Sequence, residues 1–260
     1  MKRNLKLFWF FSLYSMKQVA QHRTGVIFFL FGKIFRFFMF FIFIYILLTN
    51  TQVLAGYTLV QTLVFFLTFN VLDTLAQLLF REVYRFRPLI VTGEFDGVLV
   101  KPYHPLLRVL IGGIDVLDLI MLVPYVAILS FFVLKAQTAT SFSYLIYFLL
   151  LGNAMLIATA FHILVLALGI LTTEVDHTVM IYRDMTRMAA VPVDIYRQPL
   201  RTAITFVIPV GIMMTFPVKG LFNSLNWQLI LISFVIGIGL FLFSLWSWRT
   251  ALRKYQSWGS

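Results

Sequence analysis

Two stretches of this chain, residues 136–173 and 220–248, contain no Asp, Glu, Lys or Arg. A segment of roughly 20 mostly apolar residues is what an α-helix needs to cross the hydrocarbon of a bilayer. The composition agrees. AVILMFWYC make up 61% of the 260 residues and DEKR only 12%, with 29 Phe, against about 25% charged residues in an ordinary soluble domain. Such a chain cannot cover a water-facing surface. Together with the absence of cysteine, this excludes a soluble enzyme, a disordered chain and a secreted disulfide scaffold.

Six segments meet the length requirement: 25–48, 53–80, 109–134, 144–171, 202–218 and 227–248. The fifth is the shortest and contains Pro209. Membrane strands would alternate polar and apolar positions over about ten residues. Runs such as FRFFMFFIFIYILL are apolar on every side, so the expected fold is an all-α membrane protein of six transmembrane helices, one domain over 1–260. Of 21 Lys and Arg residues, only Lys135 and Lys219 fall in the connections on one side. The positive-inside rule then places both termini, the 81–108 loop and the 172–201 loop in the cytoplasm. The formal charge of +11 is accounted for by this asymmetry, and no nucleic-acid partner is implied.

Residues 1–24 read as a helix lying on the inner membrane surface, with Leu5, Phe8, Trp9, Leu13, Met16, Val19 and Ala20 on one face. The outer connections are short, so function must sit in the bundle or on the two inner loops. The first inner loop is punctuated by Pro88, Gly93, Gly97, Pro102 and Pro105, the second by Pro192 and Pro199. Both read as compact structures of mixed charge.

Catalytic signatures are missing. There is no phosphate-cradling G-x-x-x-x-G-K-[ST], no H-E-x-x-H, no cysteine to hold zinc and no G-x-S-x-G elbow. Asp115 and Asp118, three apart on one helix face, could hold Mg²⁺ or pair with loop arginines such as Arg108. His162 stands alone inside the fourth span. Asp73, Lys33 and Arg36 lie inside the first two spans. A charge at such depth costs at least ~2.5 kcal/mol without compensation, so Asp73 is expected to pair with Lys33 or Arg36. A stand-alone secondary transporter and a lipid-modifying membrane enzyme using Asp115 and Asp118 both remain alternatives at this point.

Two stretches carry a family resemblance. Gly93-Glu94-Phe95-Asp96-Gly97-Val98-Leu99-Val100-Lys101-Pro102 resembles the G-x-x-D-x-x-L-x-[KR]-P element in the inner loop of ABC-2 type permeases. Pro192-Val193-Asp194-Ile195-Tyr196-Arg197-Gln198-Pro199-Leu200-Arg201, continuing to Phe206-Val207-Ile208-Pro209 and Phe216-Pro217, is similar to a run found in one bacterial subfamily of them. The resemblance implies the membrane subunit of an ATP-driven exporter in the bacterial cytoplasmic membrane, moving an amphipathic or lipid-like substrate. It implies a partner permease, identical or a sister chain, and a separate cytoplasmic ATPase dimer that binds the ATP and Mg. This chain would then hold no cofactor. The 81–108 loop would be the coupling element, through Arg85, Arg87, Gly93, Glu94, Phe95, Asp96, Lys101 and Pro102. Arg183, Asp184 and Arg187 would form a second inner contact.

Overall fold

The computed structural model describes residues 23–136 and 140–256, with Trp9, Phe10, Ser12, Leu13 and Lys17 of the preceding segment. The interfacial helix expected over 1–24 therefore lies almost wholly outside the described residues. Ser12 accepts a hydrogen bond from the Ile114 N–H at 3.1 Å, which tethers that segment beside the start of the third span. The described residues form helices and no strand apart from an isolated bridge between Leu54 and Tyr57.

Five described helices are long and apolar enough to cross a membrane. We label the long helices α1 (Arg23–Thr51), α2 (Leu59–Phe80), α6 (Val116–Lys135), α7 (Ser141–Thr172) and α11 (Trp227–Lys254). Between α2 and α6 come a 3₁₀ turn (Arg81–Arg85) and the short helices α3 (Phe86–Val91), α4 (Glu94–Leu99) and α5 (Pro105–Leu110). After α7 come α8 (Val175–Arg187), α9 (Val210–Met214) and α10 (Phe216–Leu221). The starts are set by local chemistry. Thr58 and Gln61 form a reciprocal capping box on α2. The Asp115 carboxylate accepts the Leu117 N–H at 2.9 Å at the start of α6, and Thr140 accepts the Ser143 N–H at 3.3 Å at the start of α7.

In their most apolar stretches α2 and α7 bury most of their residues and form the middle of the bundle, whereas α1, α6 and α11 bury few of theirs. Phe28 and Val235 are each 72% exposed. In water such surface would be unfavourable by roughly 25 cal/mol per Å²; against lipid it is not. Helix α11 meets α7 through small side chains, with Ser233, Gly237, Ser244 and Ala251 all buried. A Cβ on Gly237 would stand 2.1 Å from Asn153 Oδ1, and Asn153 Nδ2 donates to the Ser233 carbonyl at 2.9 Å.

The fifth span expected over 202–218 is corrected by the structure. That segment is a single helical turn, a π turn (Ala203–Val207) and the short helices α9 and α10. Arg201 and Lys219, which flank it, both bond the carboxylate of Asp194. A straight helix of that length would hold its ends roughly 26 Å apart; here they meet. The segment leaves one end of the bundle and returns to it. Its arms touch closely, since a Cβ on Gly211 would lie 2.8 Å from Thr205 Oγ1.

The connection expected as the second inner loop packs along the bundle. Helix α7 ends at Thr173 in a left-handed conformation, its N–H bonded to the Gly169 carbonyl at 2.9 Å. The chain then turns back along α7. Val175 packs on Gly169, the Tyr182 ring lies 4.8 Å from His162, the Val193 N–H donates to Thr215 Oγ1 at 3.3 Å, and Asp194 reaches Tyr57 and Lys219. Residues 175–194 thus run the length of the bundle. The reason this escapes a hydropathy reading is plain: α8 carries Asp176, Arg183, Asp184 and Arg187.

Candidate functional site: a folded end face and a charged cavity

The 81–108 connection is a folded layer across one end of the bundle. Gly93 takes φ 75°, a left-handed turn natural to glycine, and reverses the chain between α3 and α4. Phe95 is fully buried. Its ring stands edge-on to Phe86 at 5.2 Å, Tyr255 at 5.2 Å and Trp248 at 6.4 Å, so it anchors the layer to α11 and does not face outward. Glu82 bonds Arg108 at 2.8 Å and lies 3.9 Å from Arg85, closing the layer on itself. Arg87 pairs with Asp176 at 3.6 Å, joining it to α8. Outward face Arg85, Arg87, Glu94, Lys101 and Pro102, with Asp96 and Gly93 half-buried. Val91 and Val100 add apolar surface, Val100 being 83% exposed.

The second cluster lines a half-open cavity in the bundle. A cavity of about 370 Å³ is lined by Arg36, Phe40, Phe66, Phe69, Asn70, Asp73, Arg183, Arg187 and Ala190. Helix α1 supplies Arg36, α2 supplies Asp73, and α8 supplies Arg183 and Arg187. Arg183 and Arg187 were expected at an inner surface contact with Asp184; the reversal of the chain at Thr173 carries them up beside Asp73 instead. Asp184 stays at the rim, 3.4 Å from Arg187. The guanidinium of Arg183 sits 6.0 Å from the Tyr84 ring.

The ion pair expected between Asp73 and Lys33 is not formed. Lys33 bonds Asp118, whose side chain is 1% exposed, and Asp73 accepts a hydrogen bond from Gln77 at 2.7 Å. Arg36 shares the cavity wall with Asp73 but makes no hydrogen bond or ion pair with a described residue. The carboxylates considered for Mg²⁺ are engaged by cations: Asp115 by Arg81 at 3.3 Å and Asp118 by Lys33. No group of three potential metal ligands occurs among the described residues. His162 is buried, its Nδ1 2.8 Å from the Ala158 carbonyl, packed against Phe80 at 4.8 Å.

Nothing in the sequence reading brings Tyr57, Asp194, Arg201 and Lys219 together, yet they form the most connected polar cluster of the opposite end. Asp194 accepts from Tyr57 at 2.9 Å, from Lys219 at 2.8 Å and from Arg201. Burial pushes its carboxyl up, but the hydrogen bond and charge of Lys219, then Tyr57 and Arg201, hold it below the usual carboxylate range. Burial first, then the charge and hydrogen bond of Asp194, push the Tyr57 phenol above its ordinary value. The available signal was Lys219 itself, a cation at the end of an apolar segment with no acid in its own connection.

A family model described as "ABC-2 family transporter protein" matches residues 34–259. No curated protein and no solved structure matches the chain.

Proposed function

The chain belongs to the ABC-2 transporter family, and from that premise, a multi-pass membrane permease of an ABC transporter, we propose how it works. It is the gate of an exporter in the bacterial cytoplasmic membrane, paired with a second permease copy or a sister chain and driven by an ATPase dimer that docks on the 81–110 layer. The ATPase binds the ATP and Mg; this chain holds neither.

One observation carries the reading. The layer is closed on itself by Glu82–Arg108 and tied to the bundle at Phe95 and Arg87–Asp176 while presenting Val91 and Val100 among charged side chains. A push on that face moves the bundle as a rigid body and biases a two-state packing; a floppy loop could not transmit it. The layer end is cytoplasmic, and the Asp194 cluster lies at the outer end. Residues 175–194 make the fifth crossing, and 200–221 form a hairpin that enters and leaves from outside. Exchanging one crossing for another keeps their number at six and both termini inside. It also leaves the positive-inside asymmetry standing, since only Arg197 and Arg201 change sides.

Purification of the full chain from its own membranes in mild detergent tests this. An ABC ATPase is expected to co-purify, and Val100→Asp with Lys101→Glu is expected to release it while the bundle still elutes as a folded species. Substrate flux by the reconstituted chain alone, with no nucleotide present, would overturn the proposal.

A further inference from the structure

We propose that the cavity between α1, α2 and α8 binds an amphipath with a singly charged oxyanion headgroup, the headgroup held by Arg36, Arg183 and Arg187 and the apolar body lying on Phe66 and Phe69. This rests on the permease reading and names the chemistry of what that site takes.

Three guanidiniums from two helices face one carboxylate, Asp73, across a cavity otherwise walled largely by phenylalanine. Asp184 bonds Arg187 at the rim, where both side chains are more than half exposed. The neighbouring charges cancel in pairs, Lys33 with Asp118 and Arg81 with Asp115. The cluster therefore keeps one cation beyond its carboxylates. An excess guanidinium at membrane depth is unfavourable unless something compensates it, and the carboxylate lining the cavity with Arg36, Asp73, is shared with Arg183 and Arg187. The planar fork of arginine fits the paired oxygens of a phosphodiester or carboxylate. A volume of about 370 Å³ is within the range of small-molecule sites and takes a headgroup with the first part of its chain. Asp73 limits the charge: it opposes a second negative charge on the ligand.

The full chain, purified in dodecyl maltoside, is titrated with lysophosphatidylglycerol, lysophosphatidylcholine, lysophosphatidic acid and inorganic phosphate, with binding read by native mass spectrometry. Lysophosphatidylglycerol is expected to bind at least about tenfold more tightly than the zwitterionic lipid, and phosphate alone not detectably. Arg36→Gln and Arg183→Gln each weaken it about tenfold, the loss of one charge-assisted hydrogen bond, while Arg183→Lys, which keeps the charge and loses the fork, falls between wild type and Arg183→Gln. Asp73→Asn tightens binding and admits the dianionic lysophosphatidic acid, a gain that misfolding cannot imitate. Equal affinity for the two lysolipids, or arginine variants that bind like wild type, overturns the proposal; phosphate bound as tightly as the lipid removes the amphipath from it. Stimulation of ATP hydrolysis by lysophosphatidylglycerol in the co-purified complex marks the ligand as cargo, and binding without stimulation marks it as a resident lipid. Binding is measured on the chain alone, so its failure leaves the permease reading intact, and absence of an ATPase partner leaves the binding result intact.

Discussion

Asp194→Asn removes a charge and little else, and its effect follows from the three partners of the carboxylate. Lys219 is 13% exposed and loses a charge-assisted bond at 2.7–2.8 Å, about 2 kcal/mol. Arg201 is 43% exposed and water replaces most of what it loses, so it adds less than about 1 kcal/mol. Tyr57 keeps an acceptor in the asparagine oxygen. The sum is about 3 kcal/mol against the packed hairpin, or roughly a hundredfold more of its open state. Asp194→Ala also strands Tyr57 and reaches about 4 kcal/mol.

The assay uses the absence of cysteine. Met213 is 1% exposed within the hairpin, so a thiol placed there by Met213→Cys reacts with a maleimide only when the hairpin opens. Labelling is expected to rise roughly a hundredfold on adding Asp194→Asn, and the double change Asp194→Asn with Lys219→Gln is expected to cost less than the sum of the single changes. Strict additivity, or labelling of the Asp194→Asn protein at the wild-type rate, refutes the idea that the carboxylate holds the hairpin shut.

Three further outcomes are expected. Because the folded carboxyl of Asp194 is held below its unfolded value of about 3.9, its contribution is complete above that pH and lost as pH falls through the folded value; the Tyr57 contribution is complete below about pH 10 and lost above it. The melting difference between wild type and Asp194→Asn is therefore flat through neutral pH and shrinks in acid, whereas a difference that grows in acid contradicts the assignment. Gly237→Ala forces a Cβ to 2.1 Å from Asn153 Oδ1 and displaces the bond to Ser233, at about 1–3 kcal/mol; a lower melting temperature by fluorescence-detected gel filtration checks it, and an unchanged one counts against the close α7–α11 contact. Arg197→Cys and Lys101→Cys, both at exposed positions, are expected to differ towards a membrane-impermeant maleimide: Arg197→Cys labels in intact cells, and Lys101→Cys only in inside-out vesicles. Labelling from one common side restores the inner-loop reading of 172–201.

What the sequence disclosed follows from which forces are local. The central α2 and α7 and the peripheral α1, α6 and α11 announce themselves because nearly all of their residues are apolar whatever the neighbour, lipid or another helix. The folded 81–110 layer was legible through its glycines and prolines, since Gly93 specifies a turn by itself. Partner choice was not legible. Lys33 could answer Asp73 or Asp118 from the same depth, and only the packing of α1 on α2 and α6 decides for Asp118. Phe95 read as part of a docking motif, but an aromatic in a short amphipathic helix is as easily an anchor, and here three rings enclose it.

The crossing proposed for residues 175–194 shows where a hydropathy reading fails. A helix that meets lipid all round must be apolar all round, but one that turns a face toward a cavity can keep charge there. Helix α8 does this: Val175, Val179, Tyr182 and Thr186 are buried against the bundle, while Arg183 and Arg187 reach the cavity. Its buried positions fall three or four apart, the spacing of one helical face, so the helix was visible but its course along the bundle was not. Conversely, the segment 202–218 is apolar enough to cross but is not one helix, because Pro209 interrupts it and Asp194 bonds both residues that flank it. Apolarity is therefore a test of surroundings rather than of direction. In this chain the polar helix α8, not any of the long apolar helices, brings two of the three arginines to the cavity.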